Sequence, residues 1–168
     1  MKNAESLRKG SGIGYGIIAC AICVTSRILF ENPLEMLHIV NGRRLLPPMW
    51  LYNVISYILF FLMGFSAGSI ADMTSCKINC GRAEVLAYKG GIYFCFCFFS
   101  SIIHYHCFFL GQRLFLALLI SVVCTICAVV CAVTWRNARP STSSLIMFIF
   151  ALWQLYICFV SLSVFLRH

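Results

Sequence analysis

Long charge-free runs constrain this chain more than any other feature of its sequence. Five such runs cover residues 10–26, 45–71, 90–112, 114–135 and 140–166. A helix needs about 20 apolar residues to cross the hydrocarbon core of a bilayer, so the last four runs are long enough and the first is marginal. The sequence therefore predicts a single all-α membrane domain, a bundle of five transmembrane helices, with spans near 10–26, 47–71, 89–111, 114–135 and 143–166.

The composition excludes most other protein classes. Of the 168 residues, 61% are hydrophobic and 11% are charged, whereas soluble domains carry about 25% charged residues. The formal net charge of +8 comes from basic residues that stand singly or in pairs between the apolar runs. Basic residues in such places set membrane topology, so we expect a lipid bilayer as partner and no nucleic acid.

The first run has two interpretations, because basic residues precede it as they precede the apolar part of a signal peptide. Gly12 and Gly16 form a small-xxx-small pair that favours a retained, packed helix. With five spans, eight basic residues lie on the N-terminal face and five on the other. This asymmetry predicts a cytoplasmic N-terminus, and the lack of a clear organelle-targeting segment before the first span predicts a bacterial plasma membrane.

The connections between spans are short. Residues 72–89 are predicted to form a polar loop that contains Cys76 and Cys80, and residues 27–44 are predicted to form another loop. Gln112 and Arg113 form a turn so tight that the third and fourth helices must be an antiparallel hairpin.

Polar residues inside spans are candidate functional residues, because each needs a partner in a medium without water. In the second span, Asn53, Ser56, Phe60 and Gly64 share one helical face, which either packs against another helix or lines a pocket. In the third span, Ser101, His104 and Phe108 share a face. His106 points roughly the opposite way, so the two histidines cannot hold one metal. His104 itself has either a pocket role or a structural one.

The sequence gives no catalytic or metal signature. Nine of the eleven cysteines lie in spans, where thiols stay protonated and pack like small apolar side chains. Cys124, Cys127 and Cys131 share a helical face, but packing is favoured over a soft-metal site there. No carboxylate lies in any span, which argues against a proton-coupled pump, and no hydrolase or nucleotide-binding motif is present.

Several short motifs together resemble one membrane protein family. The second span begins Pro47-Pro48-Met49-Trp50-Leu51-Tyr52 and ends Leu59-Phe60-Phe61-Leu62-Met63-Gly64, and the third ends in Phe108-Phe109. The fifth span carries Leu145, Phe150, Trp153, Tyr156 and Ser161 in matching order. The chain thus resembles, over nearly its whole length, the tryptophan-rich sensory protein family, which includes the mitochondrial translocator protein.

The chain departs from the family pattern at several positions. Ser56 and His104 stand where the family has tryptophans, Phe60 where it has a tyrosine, Ser101 where it has an asparagine and Ile149 where it has a proline. Of the two pocket tryptophans that the family uses with porphyrins, Trp153 remains. The cholesterol motif of animal members is also absent.

The resemblance implies a ligand pocket inside the bundle and a receptor or transport function. Family members bind tetrapyrroles such as porphyrin and haem precursors, and animal members bind sterols. Carried over by position, the site comprises Pro47, Pro48, Trp50, Asn53, Ser56, Phe60, Ser101, His104, Trp153 and Ile157. No cofactor is required, although His104 has the chemistry to hydrogen-bond a ligand carboxylate or to ligate a porphyrin metal.

Two alternative functions stay open beside ligand sensing, regulation or transport. One is a structural or partner-binding membrane protein whose pocket has degenerated. The other is light-dependent porphyrin degradation, which Ser56 disfavours because it replaces one of the two aromatic residues involved. A homodimer is also expected, with Gly12, Gly16, Gly64 and Gly68 as close-packing surfaces.

Overall fold

The computed structural model describes residues 2–30, 48–75, 81–110, 113–138 and 142–166. Within these residues the chain forms five α-helices and no strand, which confirms the predicted all-α architecture. The helices are α1 (Lys2–Phe30), α2 (Met49–Ser75), α3 (Gly81–Tyr105), α4 (Leu114–Ala138) and α5 (Thr142–Phe165). A π-helical turn, His106–Leu110, extends α3.

The outer surface of the bundle is apolar. Four helical segments are long and apolar enough to cross a membrane: Trp50–Ala71, Gly81–Phe109, Leu114–Ala138 and Thr142–Phe165. Gly12–Ile28 in α1 is a shorter apolar segment. Large side chains such as Phe96, Leu152 and Phe159 are exposed along these helices. Water would penalise such a surface whereas lipid tails would not, so the protein is an integral membrane protein.

The helices extend beyond the charge-free runs. α1 continues past Arg27 to Phe30, and most of the predicted loop 72–89 is helical because α2 ends at Ser75 and α3 begins at Gly81. Arg82 and Lys89 are exposed on α3, where long side chains reach the polar boundary without ending the helix. The prediction of a loop over 72–89 is therefore wrong for most of its length, and Cys76 and Cys80 lie outside the described residues.

Three helix pairs form the main interfaces of the bundle. α3 packs along α4, α4 along α5, and α1 along α2, whereas α2 packs less extensively against α5 and α3. The Arg113 N–H donates to the Cys107 carbonyl at 3.1 Å, which closes the end of the π-helical turn. The extensive α3–α4 interface confirms the predicted hairpin.

Glycines bring α1 and α2 into close backbone contact. A Cβ added at Gly64 would lie 2.9 Å from the Gly16 Cα, and one added at Gly68 would lie 2.8 Å from the Gly12 Cα. Such distances leave no space for a side chain. The four glycines that offered close-packing surfaces for a dimer are therefore buried between two helices of the same chain.

Buried cysteines occupy the interface between α3 and α4. The sulfurs of Cys97 and Cys124 lie 3.8 Å apart, and the Cys131 thiol donates to the Gly90 carbonyl at 3.3 Å. All three side chains are fully buried among apolar residues. They act here as small side chains packed between the two helices.

Candidate functional site

Aromatic and polar side chains from α2, α3 and α5 meet near the end of the bundle that is remote from the N-terminus. We call this group the aromatic site; it comprises Tyr52, His104, Phe108, Phe109, Trp153, Ile157 and Ser161. Tyr52 is placed by the start of α2, where its N–H donates to the Pro48 carbonyl at 3.1 Å. The π-helical turn carries Phe108 and Phe109, and both are buried. Turns of this kind often mark functional sites in helices.

His104 is buried and has a hydrogen-bond partner. Its Nε2 lies 3.0 Å from the Ser161 Oγ on α5, and its ring stacks on Phe108 with centroids 5.6 Å apart. Only 3% of His104 is exposed. A neutral imidazole paired with a hydroxyl satisfies the need for a partner in an apolar interior.

Trp153 and Ile157 lie one helical turn apart on α5 and form the side of the site opposite α3. Trp153 is half-buried, and its ring is tilted against Tyr52 at 5.8 Å and Tyr156 at 5.5 Å. Ile157 is buried against the same cluster. The structure thus brings three of the predicted residues, His104, Trp153 and Ile157, into one cluster.

Other predicted residues lie deeper in the bundle. Phe60 packs edge to face against Phe98 at 5.2 Å and Phe150 at 6.3 Å. Ser56 donates to the Tyr52 carbonyl within its own helix at 2.8 Å. Ser101 accepts a hydrogen bond of 3.0 Å from the amide of Gln154.

The entrance residues of α2 are not part of the cluster. Trp50 is 67% exposed and Pro48 is also exposed, so both lie on the outside of the bundle. Trp50 lies two positions before Tyr52 and therefore on the other side of α2, and Pro48 precedes the helix. Pro47 lies outside the described residues.

Asn53 is joined to a charged residue that the sequence analysis assigned to a loop. The Asn53 Oδ1 accepts a hydrogen bond from the Arg27 guanidinium, and Arg27 is 4% exposed. The guanidinium carbon lies 4.3 Å from the ring centroid of Tyr105, 5.1 Å from that of Tyr57 and 5.3 Å from that of Tyr52. We call these residues, Arg27, Tyr52, Asn53, Tyr57 and Tyr105, the arginine cage.

Arg27 and Gln154 are the polar residues that sequence reasoning missed. Arg27 was treated as a span boundary, yet the apolar Ile28-Leu29-Phe30 that follows it indicates a longer helix. Gln154 is a buried amide in an otherwise apolar run, and its Oε1 has no hydrogen-bond partner among the described residues. Its position within a span was itself a signal.

The helices around the aromatic site are closely packed. In the part of the bundle that the structure describes, the gap between Tyr52, His104, Phe108 and Ile157 leaves no room for a water molecule. Ligand pockets typically enclose roughly 300–1,000 Å³. A wider groove of about 600 Å³, lined by Arg82, Ala83, Leu86 and Asn137, lies at the other end of the bundle and contains none of the predicted site residues. Binding at the aromatic site thus requires the helices to separate.

Comparison with known proteins identifies the family of the chain. The model of the TspO/MBR family matches residues 17–167, nearly the whole chain. The chain belongs to the TspO/MBR family. No curated protein and no solved structure matches it. Membership confirms the resemblance and supports a membrane receptor or transport-type role.

His104 and Ser56, at two positions where the resemblance places family tryptophans, make hydrogen bonds in this chain. The resemblance places a family tryptophan at His104, and here the imidazole instead joins α3 to α5 through Ser161. Ser56, at the other tryptophan position, bonds within α2.

Proposed function

We propose that the protein binds tetrapyrroles, such as porphyrin or haem precursors, at the aromatic site and uses this binding for sensing, regulation or transport, without catalysing a reaction. The juxtaposition of Tyr52, His104 and Trp153 between three helices carries the proposal. Aromatic rings stack on a flat conjugated ligand, while one or two polar groups orient it. Sterol-like molecules are the second ligand class that such a surface fits.

Ligand entry would separate α2 from α3 and α5. The interfaces of α2 with these helices are the least extensive of the interfaces described above, whereas α1 is held to α2 through close glycine contacts. The α1–α2 pair would therefore move as a unit relative to α3, α4 and α5. If the open state is a minor one, the apparent affinity falls in proportion to its population.

Opening would also expose the pair of His104 and Ser161, whose members lie on α3 and α5 and so stay together. By turning its side chain, His104 would then be able to donate or accept a hydrogen bond at the ligand edge, or to ligate a porphyrin metal through Nε2. The hydroxyl of Ser161 would serve as a second polar group. This exchange of an internal partner for a ligand partner gives His104 a binding role that the family's tryptophan lacks.

The test is a titration of the detergent-purified protein with protoporphyrin, read by quenching of tryptophan emission. We expect saturable binding near 1 μM, equivalent to about 8 kcal/mol. Trp153→Phe and His104→Ala should each weaken binding about tenfold, because the first replaces the indole by a smaller ring that stacks less and the second removes a hydrogen bond in an apolar site. The matched control is Trp50→Phe, a change in an exposed tryptophan near the same end, which should leave affinity within twofold.

Three outcomes would contradict the proposal. Quenching that rises linearly and equally in all variants would indicate partitioning into micelles, and a structural or partner-binding function would replace ligand binding. Saturable binding of cholesterol but not of protoporphyrin would show that the site binds sterols instead of tetrapyrroles. Loss of porphyrin absorbance under light, abolished by Trp153→Phe, would instead support the degradation activity.

We further propose a cytoplasmic N-terminus in a bacterial plasma membrane, and a homodimer. The burial of Arg27 supports this orientation, because it removes one cation from the smaller of the two groups that face the headgroups. A reporter fused to either terminus would test orientation. The mass of the detergent-solubilised protein would test the dimer, whose contact must use surfaces other than the four buried glycines.

A further inference from the structure

A buried arginine lies beside the aromatic site. Arg27, near the end of α1, is 4% exposed and is enclosed by three tyrosine rings of α2 and α3. A guanidinium carries five N–H donors and stays charged at any physiological pH. Burying such a group is costly unless acceptors and an opposite charge compensate it. Burial of Arg27 in the cage therefore requires groups that compensate its positive charge.

The described part of the cage offsets the charge incompletely. The rings provide cation–π attraction, and Asn53 provides one neutral acceptor. Among the side chains that the structure describes, Glu84 is the one carboxylate, and it is exposed near the start of α3. It precedes Tyr105 by 21 positions on that helix, a distance of about 30 Å. No described residue thus gives Arg27 a counter-ion.

The cage and the aromatic site share a side chain. Tyr52 lies 5.3 Å from the guanidinium carbon of Arg27, stacks on Tyr105 at 6.2 Å and is tilted against Trp153 at 5.8 Å. A flat ligand stacked between Tyr52 and Trp153 would therefore have one edge within reach of the guanidinium. Separation of α2 from α3 would open this same edge, because Arg27 is held by rings from both helices.

We propose that Arg27 binds a carboxylate of the ligand, so that the protein selects acidic tetrapyrroles over neutral ones. This inference rests on the proposed function. The planar fork of arginine matches the two oxygens of a carboxylate and forms charge-assisted hydrogen bonds with it. A porphyrin with propionate groups at one edge has the required combination of a flat apolar body and an anionic edge. A neutral ligand of the same shape would leave the buried charge uncompensated.

The test compares protoporphyrin with its dimethyl ester, which keeps the ring and removes both negative charges. The unaltered protein should bind the diacid at least tenfold more tightly than the diester. Arg27→Gln should weaken diacid binding by about 10- to 100-fold, the loss expected for charge-assisted hydrogen bonds, and should leave diester binding within threefold. Arg27→Lys keeps the charge without the planar fork, so its affinity for the diacid should lie between those of the unaltered protein and Arg27→Gln.

Arg113→Gln is the matched control. Arg113 lies at the same end of the bundle, just before α4, and is exposed. Its replacement removes the same charge, so a general attraction of the surface for anions would appear in both variants. We expect it to change the ratio of diacid to diester affinity by less than twofold.

The outcomes separate this inference from the proposed function. Equal affinity for diacid and diester that Arg27→Gln does not change would overturn the role of Arg27 while leaving tetrapyrrole binding intact. Absence of saturable binding for both ligands would instead overturn the proposed function. Equal weakening of both ligands by Arg27→Gln and by Arg27→Lys would identify a purely structural cage and also overturn the inference.

One further variant excludes carboxylates of the chain itself as the partners of Arg27. Glu31 and Glu35 follow α1 closely in sequence. If the ligand carboxylate is the partner, a Glu31→Gln, Glu35→Gln double variant should bind the diacid as tightly as the unaltered protein or more tightly. Loss of the preference for the diacid in this variant would contradict the proposal.

Discussion

The helices of the bundle pack through different kinds of side chain at its two ends. The end nearest the N-terminus, which we call the glycine end, contains two separate close contacts, Gly12 with Gly68 and Gly90 with Trp135. There, backbones approach so closely that added Cβ atoms would overlap neighbouring atoms, and the Trp135 indole N–H donates to the Ala87 carbonyl at 3.3 Å. Small residues let helices meet with little space between them, so this end is suited to stability.

The opposite end, which we call the aromatic end, contains the aromatic site and the arginine cage. Its helices meet through aromatic rings that leave no room for a water molecule, and its buried polar groups are joined in pairs across helices, such as His104 with Ser161 and Arg27 with Asn53. In the function that we propose, a ligand would replace one partner of such a pair. The comparison teaches that one end of the bundle is joined by close glycine contacts and the other by aromatic rings and paired polar groups.

The largest effect on stability is expected where α1 and α2 touch. A side chain at Gly64 would meet the Tyr15 carbonyl and the backbone of Gly16, neither of which can move without shifting α1. Gly64→Val should lower the free energy of unfolding by about 3 kcal/mol, since overpacking costs 1–3 kcal/mol and occasionally more. Unfolding of the purified protein in increasing dodecyl sulfate, followed by circular dichroism, measures the loss.

Gly14→Ala is the control for this prediction. Gly14 lies on α1 between the two contact glycines, but an added Cβ there has nothing within 4 Å. The alanine should leave stability unchanged or raise it by up to about 1 kcal/mol through helix propensity. Equal losses in the two variants would show that the α1–α2 contact does not hold this part of the bundle together.

A smaller effect is expected for the polar pair at the aromatic end. Ser161→Ala leaves the buried His104 ring nitrogen without its hydroxyl partner and should cost about 1 kcal/mol. Adding His104→Phe to Ser161→Ala removes both members of the pair and should restore most of that loss. The same unfolding assay on the two single variants and the double variant forms a mutant cycle. Strict additivity would show that the two side chains do not interact.

The sequence predicts the fold well because its strongest signal is hydropathy. Charge-free runs give the number and order of the helices, and the short Gln112-Arg113 connection gives the α3–α4 hairpin. Helix ends are predicted less well, because Arg82 and Lys89 are exposed on α3 and so need not end it. A charge indicates where a side chain must find water or a partner, and a buried partner is invisible in one sequence.

The candidate site is predicted only in part, for a similar reason. Helical periodicity places His104 and Trp153 on defined helix faces, and the family resemblance selects them. Whether those faces meet depends on how helices remote in sequence pack. Tyr52 joins the aromatic site to the arginine cage, and this junction depends on the start of α2, on the end of α1 and on the π-helical turn. None of these contacts follows from spacing within a single helix.

The smallest effect on stability is expected at Gln154. Its amide donates to Ser101, but its Oε1 is buried without a partner in the described part of the chain. Gln154→Leu loses one hydrogen bond but also removes a buried acceptor that has no partner among the described residues, and leucine has a volume similar to that of glutamine. Because each term is worth about 1 kcal/mol, the free energy of unfolding should change by less than 1 kcal/mol in either direction.

Ser101→Ala is the variant to compare with Gln154→Leu. It removes the hydroxyl that accepts from the Gln154 Nε2, so that neither the nitrogen nor the oxygen of the amide has a partner among the described residues. It should destabilise more than Gln154→Leu, because removing one partner strands a buried polar group whereas removing the amide strands none. Serine hydroxyls in helices are also able to turn to a carbonyl of the preceding turn, which spares Ser101 in the leucine variant. A loss above 2 kcal/mol for Gln154→Leu would contradict this ranking and would mean that Oε1 has a strong partner, so that the middle of the bundle, like the aromatic end, depends on polar contacts.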